Sequence, residues 1–307
     1  MTEPPAPAPA ATRRAGFAAL VGRPNVGKST LLNALLGRKI SIATRKPQTT
    51  RHRILGIQQR EAAQIAYVDT PGLHANARTA MNRYMNETAG SALSDVDVVV
   101  FVTEAGRWLE ADAQVLRRLE ATRSPVIAAI NKADRLRDKN RLLPEIAAMA
   151  ERRELAAVVP VSAQRADNLE ALEAAVIEQL PMGPPLFPPD QLSDRDERFM
   201  AAELVREQLT LMLGDELPYA STVEIEAYEQ AGRLRRIAAI IWVERVGQRR
   251  IVIGEGGERI KRIGAAARHE MARVFDGRIY LKLWVKVREG WSDDARLLRS
   301  LGYTPPQ

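Results

Sequence analysis

The 307-residue chain carries 45 Lys and Arg against 38 Asp and Glu, a formal net charge of +7, with 46% hydrophobic residues and no cysteine. This composition supplies apolar material for about two domains, excludes disulfides, thiolate metal sites and a cysteine nucleophile, and suits a reducing cytosol and a polyanionic partner. With three histidines a His-based zinc site is not expected, and no apolar run reaches the roughly 18 residues of a spanning helix.

Residues 1–14, MTEPPAPAPAATRR, are rich in Pro and Ala, lack the apolar core of a signal peptide, and read as a disordered tail. GFAALVG then reads as a buried strand, and KSTLLNALLG as a helix stopped by Gly37. AQIAYVDTPG is a second strand running into a turn. VDVVVFVTEA, PVIAAINKAD and AAVVPVSAQ follow as apolar, β-branched strands of the kind covered on both faces. Helical patterns fill the gaps, as at 110–121 and 168–180. Strands alternating with helices predict an α/β fold, a mostly parallel sheet with helices on both faces, over 15–180. The chemically loaded residues all follow strand ends, where such sheets place ligands.

LPMGPPLFPPDQ holds five prolines, which cannot continue a helix or a central strand, and places a linker at 181–192. Beyond it, 193–307 predicts a small α+β domain. A helix is expected at 195–213, strands at STVEIEAYEQ, LRRIAAIIWVER and RRIVIG, a helix at ERIKRIGAAARHEMARVF and a strand at IYLKLWVKV.

Gly22, Arg23, Pro24, Asn25, Val26, Gly27, Lys28 and Ser29 match GxxxxGK[ST], set between a strand and a helix. Glycines let backbone N–H groups turn inward around an anion, and the helix N-terminus adds partial positive charge. Lys28 is expected to reach the β- and γ-phosphates and the Ser29 hydroxyl to ligate Mg²⁺, with Thr30 completing the binding loop. Asp69, closing the next strong strand, is the candidate metal-linked carboxylate, and Gly72 can turn an N–H towards the γ-phosphate. In Asn131-Lys132-Ala133-Asp134, the Asp134 carboxylate can accept from guanine N1–H and its exocyclic amino group, a donor pair adenine lacks. Asn131 can tie the base to the phosphate loop, and the Lys132 stem can cover the base. Ser162 and Ala163 cap the following strand, where a backbone N–H can meet the guanine oxygen. These residues therefore predict GTP and GDP as the nucleotides, with Mg²⁺.

The set resembles the translation-factor-related GTPases, and in particular the Era family. RKPQTTRHRILGI is similar to the Era effector segment, which implies a switch threonine closing on Mg²⁺, at Thr50 or alternatively Thr49. Leu73 stands where many small GTPases have a water-positioning glutamine. The resemblance implies slow intrinsic hydrolysis and other means of orienting water. Asn25 matches the asparagine that helps potassium-stimulated relatives hold a monovalent cation, so K⁺ is a candidate cofactor.

In IVIGEGGERIKRIGAAAR, Gly254, Glu255, Gly256 and Gly257 form a GxxG turn leading into a helix, as in KH domains, where a nucleic-acid backbone comes close. Val252, Ile253 and Ile260 are candidates to line the base groove, with Lys261 and Arg262 beside the turn. Between 233 and 288 stand 15 Lys and Arg against five acids, so the basic excess is concentrated here. Glu255 and Glu258 soften that attraction. With 5% aromatic residues, base stacking is not expected to be the main readout. VIGxxGxxIKxIGxxAR, LxLWVKVxxGWxDD and LRSLGY are again similar to the Era C-terminal KH domain, of type II. The resemblance implies binding to the 3′ end of 16S ribosomal RNA, small (30S) subunit assembly, a monomer, and a cytoplasmic protein with peripheral association at the inner face of the membrane. The competing readings are an RNA-binding protein whose nucleotide is only structural, and a related GTPase acting at the membrane or in cell-cycle control.

Overall fold

The computed structural model describes residues 13–46, 48–72, 79–91, 95–214 and 217–303. In chain order the first part runs β1 (Arg13–Val21), α1 (Lys28–Leu36), β2 (Ile54–Gln59), β3 (Ala63–Asp69), α2 (Ala80–Ser91) and β4 (Val98–Glu104). It continues with α3 (Glu110–Leu119), β5 (Val126–Asn131), α4 (Leu142–Arg152), β6 (Ala157–Pro160), α5 (Leu169–Gln179) and β7 (Met182–Gly183). The sheet order is β2-β3-β1-β4-β5-β6, with β7 paired to β1. The central pairs are parallel, while β2 and β7 join antiparallel.

The central strands are apolar on both faces because both faces are covered. On one side Leu20, Val100 and Ile127 pack with Leu31, Leu32 and Leu35 of α1 and Leu172 and Val176 of α5. On the other, Val99, Phe101 and Ala128 pack with Val115 and Leu119 of α3 and Met149 of α4. Helix α1 ends at left-handed Gly37, whose N–H returns to the carbonyls of Ala34 and Asn33.

The first strand already takes in Arg13 and Arg14, which the sequence reading left in the tail; Arg14 Nη1 donates to the Glu178 carbonyl at 2.9 Å. The proline-rich stretch is no free linker either. Residues 182–183 pair with β1, and the N–H groups of Leu186 and Phe187 both donate to Gln64 Oε1. Proline rules out a helix but leaves an extended chain free to lie along a sheet edge.

The second part consists of α6 (Glu197–Met212), β8 (Ser221–Ala231), β9 (Leu234–Val243), α7 (Val246–Ile253), α8 (Glu258–Val274), β10 (Arg278–Val287) and α9 (Ala295–Ser300). The sheet order is β10-β9-β8, with β9 and β10 parallel and β8 antiparallel. Leu204 and Leu209 of α6 and Ile263, Ala267 and Met271 of α8 cover its inner face. RRIVIG, expected as a strand, is instead the end of α7. Ile251, Val252 and Ile253 are β-branched, but the Gln248 side chain caps the N–H groups of Glu244 and Arg245, and Val252 packs into the core at helical spacing. Tertiary packing overrides strand propensity there.

Among the described residues no helix is long and apolar enough to cross a membrane.

Candidate functional site: a nucleotide cleft joined to a basic domain

The loop between β1 and α1 has its shape dictated by two close approaches. A Cβ on Gly22 would sit 2.3 Å from the Val102 carbonyl oxygen. Gly27 has φ 99°, and a Cβ there would lie 2.5 Å from Asn131 Nδ2. Asn25, at φ 66°, also turns the backbone. Lys28 is buried and donates to the carbonyls of Gly22 at 2.9 Å and Arg23 at 3.2 Å. Burial pulls its pKa down to about 8, against the raising pull of Asp69.

Asp69 ends β3 fully buried. Its Oδ2 accepts from Ser29 Oγ at 2.7 Å, Ser41 Oγ at 2.9 Å and Thr50 Oγ1 at 3.3 Å, while its Oδ1 has no protein partner. Burial raises its pKa, opposed by Lys28 and these three hydroxyls. Ser29 Oγ and Thr50 Oγ1 lie 2.7 Å apart. Two hydroxyls and a carboxylate with one oxygen unspent form a hard-oxygen set of the kind that suits Mg²⁺ shared with substrate phosphates. Thr50 rather than Thr49 reaches this cluster: Thr49 Oγ1 pairs with Thr44 Oγ1 at 2.6 Å and the Lys46 carbonyl at 2.7 Å. Gly72 packs on Pro24, so the turn after β3 lies against the phosphate loop. Leu73 lies outside the described residues.

The base end is assembled from three strand termini. Asn131 Nδ2 donates to the Val26 carbonyl at 2.8 Å, and its Oδ1 accepts from the N–H groups of Lys132 at 2.8 Å and Ala163 at 3.0 Å. Ser162 Oγ donates to Asp134 Oδ1 at 2.7 Å, fixing the carboxylate. Lys132 Nζ donates to the Asn25 carbonyl at 2.7 Å and pairs with Glu104 at 3.0 Å. Arg23 lines the cleft, and its guanidinium reaches the Pro24 carbonyl only at 3.4 Å. Its guanidinium turns away to Asp112 at 3.0 Å and Glu104 at 2.9 Å, because those carboxylates offer charged partners at the end of β4 and the start of α3. Val26 is buried likewise and offers only backbone groups. Thr30 follows Ser29 in α1, half-buried and lining the cleft. The resulting cavity measures about 1240 Å³ and is lined by the phosphate loop, residues 43–46 and 48–50, Gly72, Lys132, Asp134 and Ala163.

Glu104, Ser41 and the partners of residues 39–52 escaped the sequence reading, since nothing in their local pattern marks them. Ile42 is fully buried in the core of the second domain. Lys39 Nζ bonds Glu207 at 2.6 Å and Glu270 at 3.1 Å, and Lys46 Nζ the Leu213 carbonyl at 2.6 Å. Arg206, ion-paired to Glu203, donates to the Thr49 carbonyl. Arg51 donates to the carbonyls of Ser221 at 2.9 Å and Pro218 at 2.7 Å. The His52 ring stacks on Tyr303 with centroids 4.4 Å apart. Helix α2 joins this seam, packing Met81, Tyr84 and Met85 on Trp291 and Leu298.

In the second domain, Gly254 (φ 74°), Gly256 (φ 55°) and Gly257 (φ 78°) carry the turn between α7 and α8, and a Cβ on Gly254 would collide with Arg259. Glu255, Gly256, Glu258, Lys261 and Arg262 are exposed around it. Ile253 and Ile260 are half-buried, together with Leu281 and Leu283 of β10, which the sequence reading missed. Val252, expected in the groove, is 0% exposed and belongs to the core, because its helical position turns it inward.

The family model described as a 50S ribosome-binding GTPase matches residues 17–132, and that of the KH domain matches residues 216–292. GTPase Era of Pseudomonas savastanoi pv. phaseolicola is 56% identical over 290 residues, covering 94% of this chain and 97% of its own. Era crystallised with MgGDPNP and nucleotides 1506–1542 of 16S ribosomal RNA superposes with a TM-score of 0.91 at 36% identity, covering 95% of this chain and 99% of that one. A point variant of Aquifex aeolicus Era bound to GDP·AlF₄⁻ gives the same TM-score, identity and coverage.

Proposed function

This chain belongs to the Era family of GTPases, and we propose that its GTP hydrolysis gates binding to the 3′ region of 16S ribosomal RNA during small-subunit assembly. One observation carries the gating. Thr49 and Thr50 are adjacent, yet the Thr49 carbonyl accepts from Arg206 of the second domain while the Thr50 hydroxyl joins Ser29 and Asp69. A change in what Thr50 binds is therefore felt one residue away by the RNA-binding domain.

Ser29, Thr50 and Asp69 would hold Mg²⁺, which when bound neutralises charge developing on the phosphates. The phosphate-loop amides and Lys28 hold the β- and γ-phosphates, and Gly72 offers its N–H beside Pro24. Asn131, Lys132, Asp134, Ser162 and Ala163 bind guanine. Gly254–Gly257 admits the RNA backbone, with Ile253 and Ile260 under the bases and Lys261 and Arg262 near phosphate. The GTPase family model is described by the large subunit, but it covers only the first domain. The RNA held by the Era neighbour is 16S, of the small subunit, and the small subunit is the partner proposed here.

Filter binding of a 16S 3′-terminal RNA, with a non-hydrolysable GTP analogue and with GDP in turn, tests the reading. Affinity is expected to depend on the nucleotide in the wild type and to lose that dependence in Lys28→Ala. Equal affinity in both states would refute the gating. A monovalent cation beside Asn25 is proposed as an accessory, so turnover in potassium is expected to exceed that in sodium. The protein is proposed to act as a cytoplasmic monomer, with peripheral membrane association read out by cell fractionation.

A further inference from the structure

The outward face of the three-stranded sheet, opposite the core helices, gathers side chains that whole-chain composition conceals. Along β10 the residues alternating away from the core are Arg278, Tyr280, Lys282, Trp284 and Lys286, with Arg288 just beyond, and all are exposed. Tyr280 is 49% exposed and Trp284 41%. Across the ladder Lys286 faces Trp242, and Trp284 faces Ile240. Lys282 Nζ lies 5.6 Å from the Tyr280 ring centre. Lys286 Nζ and Arg288 Cζ each lie 5.8 Å from that of Trp242. A sheet face needed only for solubility is filled by Thr, Glu and Lys. Exposed rings interleaved with cations are the composition of a single-strand platform, where bases stack and ammonium groups meet phosphate.

The position of β10 adds to this. Among the described residues it is an edge strand, paired only to β9. Its inward residues Leu281 and Leu283 lie in the cluster that holds Ile253 and Ile260. A KH groove clamps about four nucleotides, and a longer strand that crosses the edge at β10 would reach this face. The cationic row is narrow, and across β9 strand β8 brings up Glu224, which accepts from Trp242 Nε1 at 2.7 Å, and Glu226, 3.7 Å from Lys286. A row flanked on that side by acids suits one polyanionic strand better than a broad anionic plane such as a membrane.

We propose that the outward face of β10 is a second RNA-binding surface, which stacks unpaired bases on Tyr280 and Trp284 and holds their phosphates with Lys282, Lys286 and Arg288. The proposal rests on the reading that this domain binds RNA. Few as the aromatics of the chain are, the two exposed ones among the described residues, Tyr280 and Trp284, stand together on this face.

The test uses full-length protein and two fluorescein-labelled RNAs from the 16S 3′ end, one of four nucleotides, the length of the groove, and one of about twenty. In Tyr280→Ala/Trp284→Ala the Kd of the longer RNA is expected to rise about ten- to hundredfold, with the four-nucleotide Kd unchanged. The unchanged short RNA also reports an intact fold, and Trp284→Phe should restore most of the loss. Lys282→Ala/Lys286→Ala should flatten the salt dependence for the longer RNA by about 1.4 logarithmic units per decade. The proposal fails if the longer RNA binds the variant as it binds the wild type, or if both RNAs weaken equally. It also fails if the substitutions change only the sedimentation coefficient, which would make the face a self-association surface. Gly256→Asp serves as the groove control: if it leaves both RNAs bound as before, the RNA-binding reading of the groove fails separately.

Discussion

Lys28 shows how a single residue ties the chemistry of the loop to pH. Without phosphate its ammonium sits among carbonyls, and burial holds its pKa near 8, well below the usual lysine range. A triphosphate raises that pKa again, so binding above pH 8 takes up a proton. Nucleotide affinity, measured by calorimetry, is expected to fall by up to about tenfold per pH unit above 8. For folding without nucleotide the sign is opposite. The unfolded chain, with a lysine value of 10.5, holds more protons between pH 8 and 10.5, so this residue adds stability as pH rises through that window. Asp134 is the residue proposed above to decide the base. Its Oδ1 accepts from Ser162 Oγ at 2.7 Å, and its Oδ2 lies 3.9 Å from Arg165 Nε. Asp134→Asn replaces an acceptor by a donor and is expected to weaken GTP binding by about a hundredfold. The same change should strengthen xanthosine triphosphate, whose C2 oxygen accepts. Competition binding with the two nucleotides checks both halves.

At the scale of elements, the segment from Ser41 to His52 is the informative one. Its described residues form no helix or strand, and their groups are engaged elsewhere: the Ile42 side chain enters the other domain's core, the Ser41 and Thr50 hydroxyls bond Asp69, and the Thr49 carbonyl is taken by Arg206. Thr50→Ala is expected to lower GTP turnover and weaken its dependence on Mg²⁺. Thr49→Ala, which loses only bonds within the loop, should leave turnover near wild type. Steady-state phosphate release against Mg²⁺ concentration separates them. Ile42→Ala removes a buried side chain that joins the two domains and should cost about 2–5 kcal/mol. Calorimetry is expected to resolve two transitions where the wild type shows stronger coupling. Helix α7 teaches the converse lesson. Its β-branched run suggests a strand, and the Gln248 cap together with packing against β10, α8 and β9 makes it a helix.

For the whole molecule, the seam between the domains is one place where acid acts on stability. His52 is stacked on Tyr303 and meets the edges of Phe199 and Tyr84. Burial, despite the nearby Glu203 carboxylate, holds its pKa down to about 3, against 6.5 when unfolded. The unfolded chain therefore binds more protons between pH 6.5 and 3. Stability from this group is lost as pH falls through that window, by up to about 1.4 kcal/mol per unit. His52→Phe keeps the stacking and removes the titration. The difference in denaturation midpoint between wild type and variant is expected to shift in the variant's favour as pH falls from 6.5 to 4. A constant difference across that range would show that the ring is not buried as described.

The sequence alone determined the nucleotide, since phosphate and guanine recognition need short runs of fixed residue types at strand ends, and GRPNVGKST, DTPG, NKAD and VSA are such runs. It also determined the GxxG turn, whose glycines are fixed by positive φ. Other features needed the tertiary structure. Thr50 rather than Thr49 faces Asp69 because of how the loop is held from both sides. Val252 is core and α7 a helix because of what packs on them. The contacts of Lys39 with Glu207, Arg51 with Ser221 and His52 with Tyr303 join residues more than 150 positions apart, and such pairings depend on how two finished surfaces meet, which no local spacing encodes.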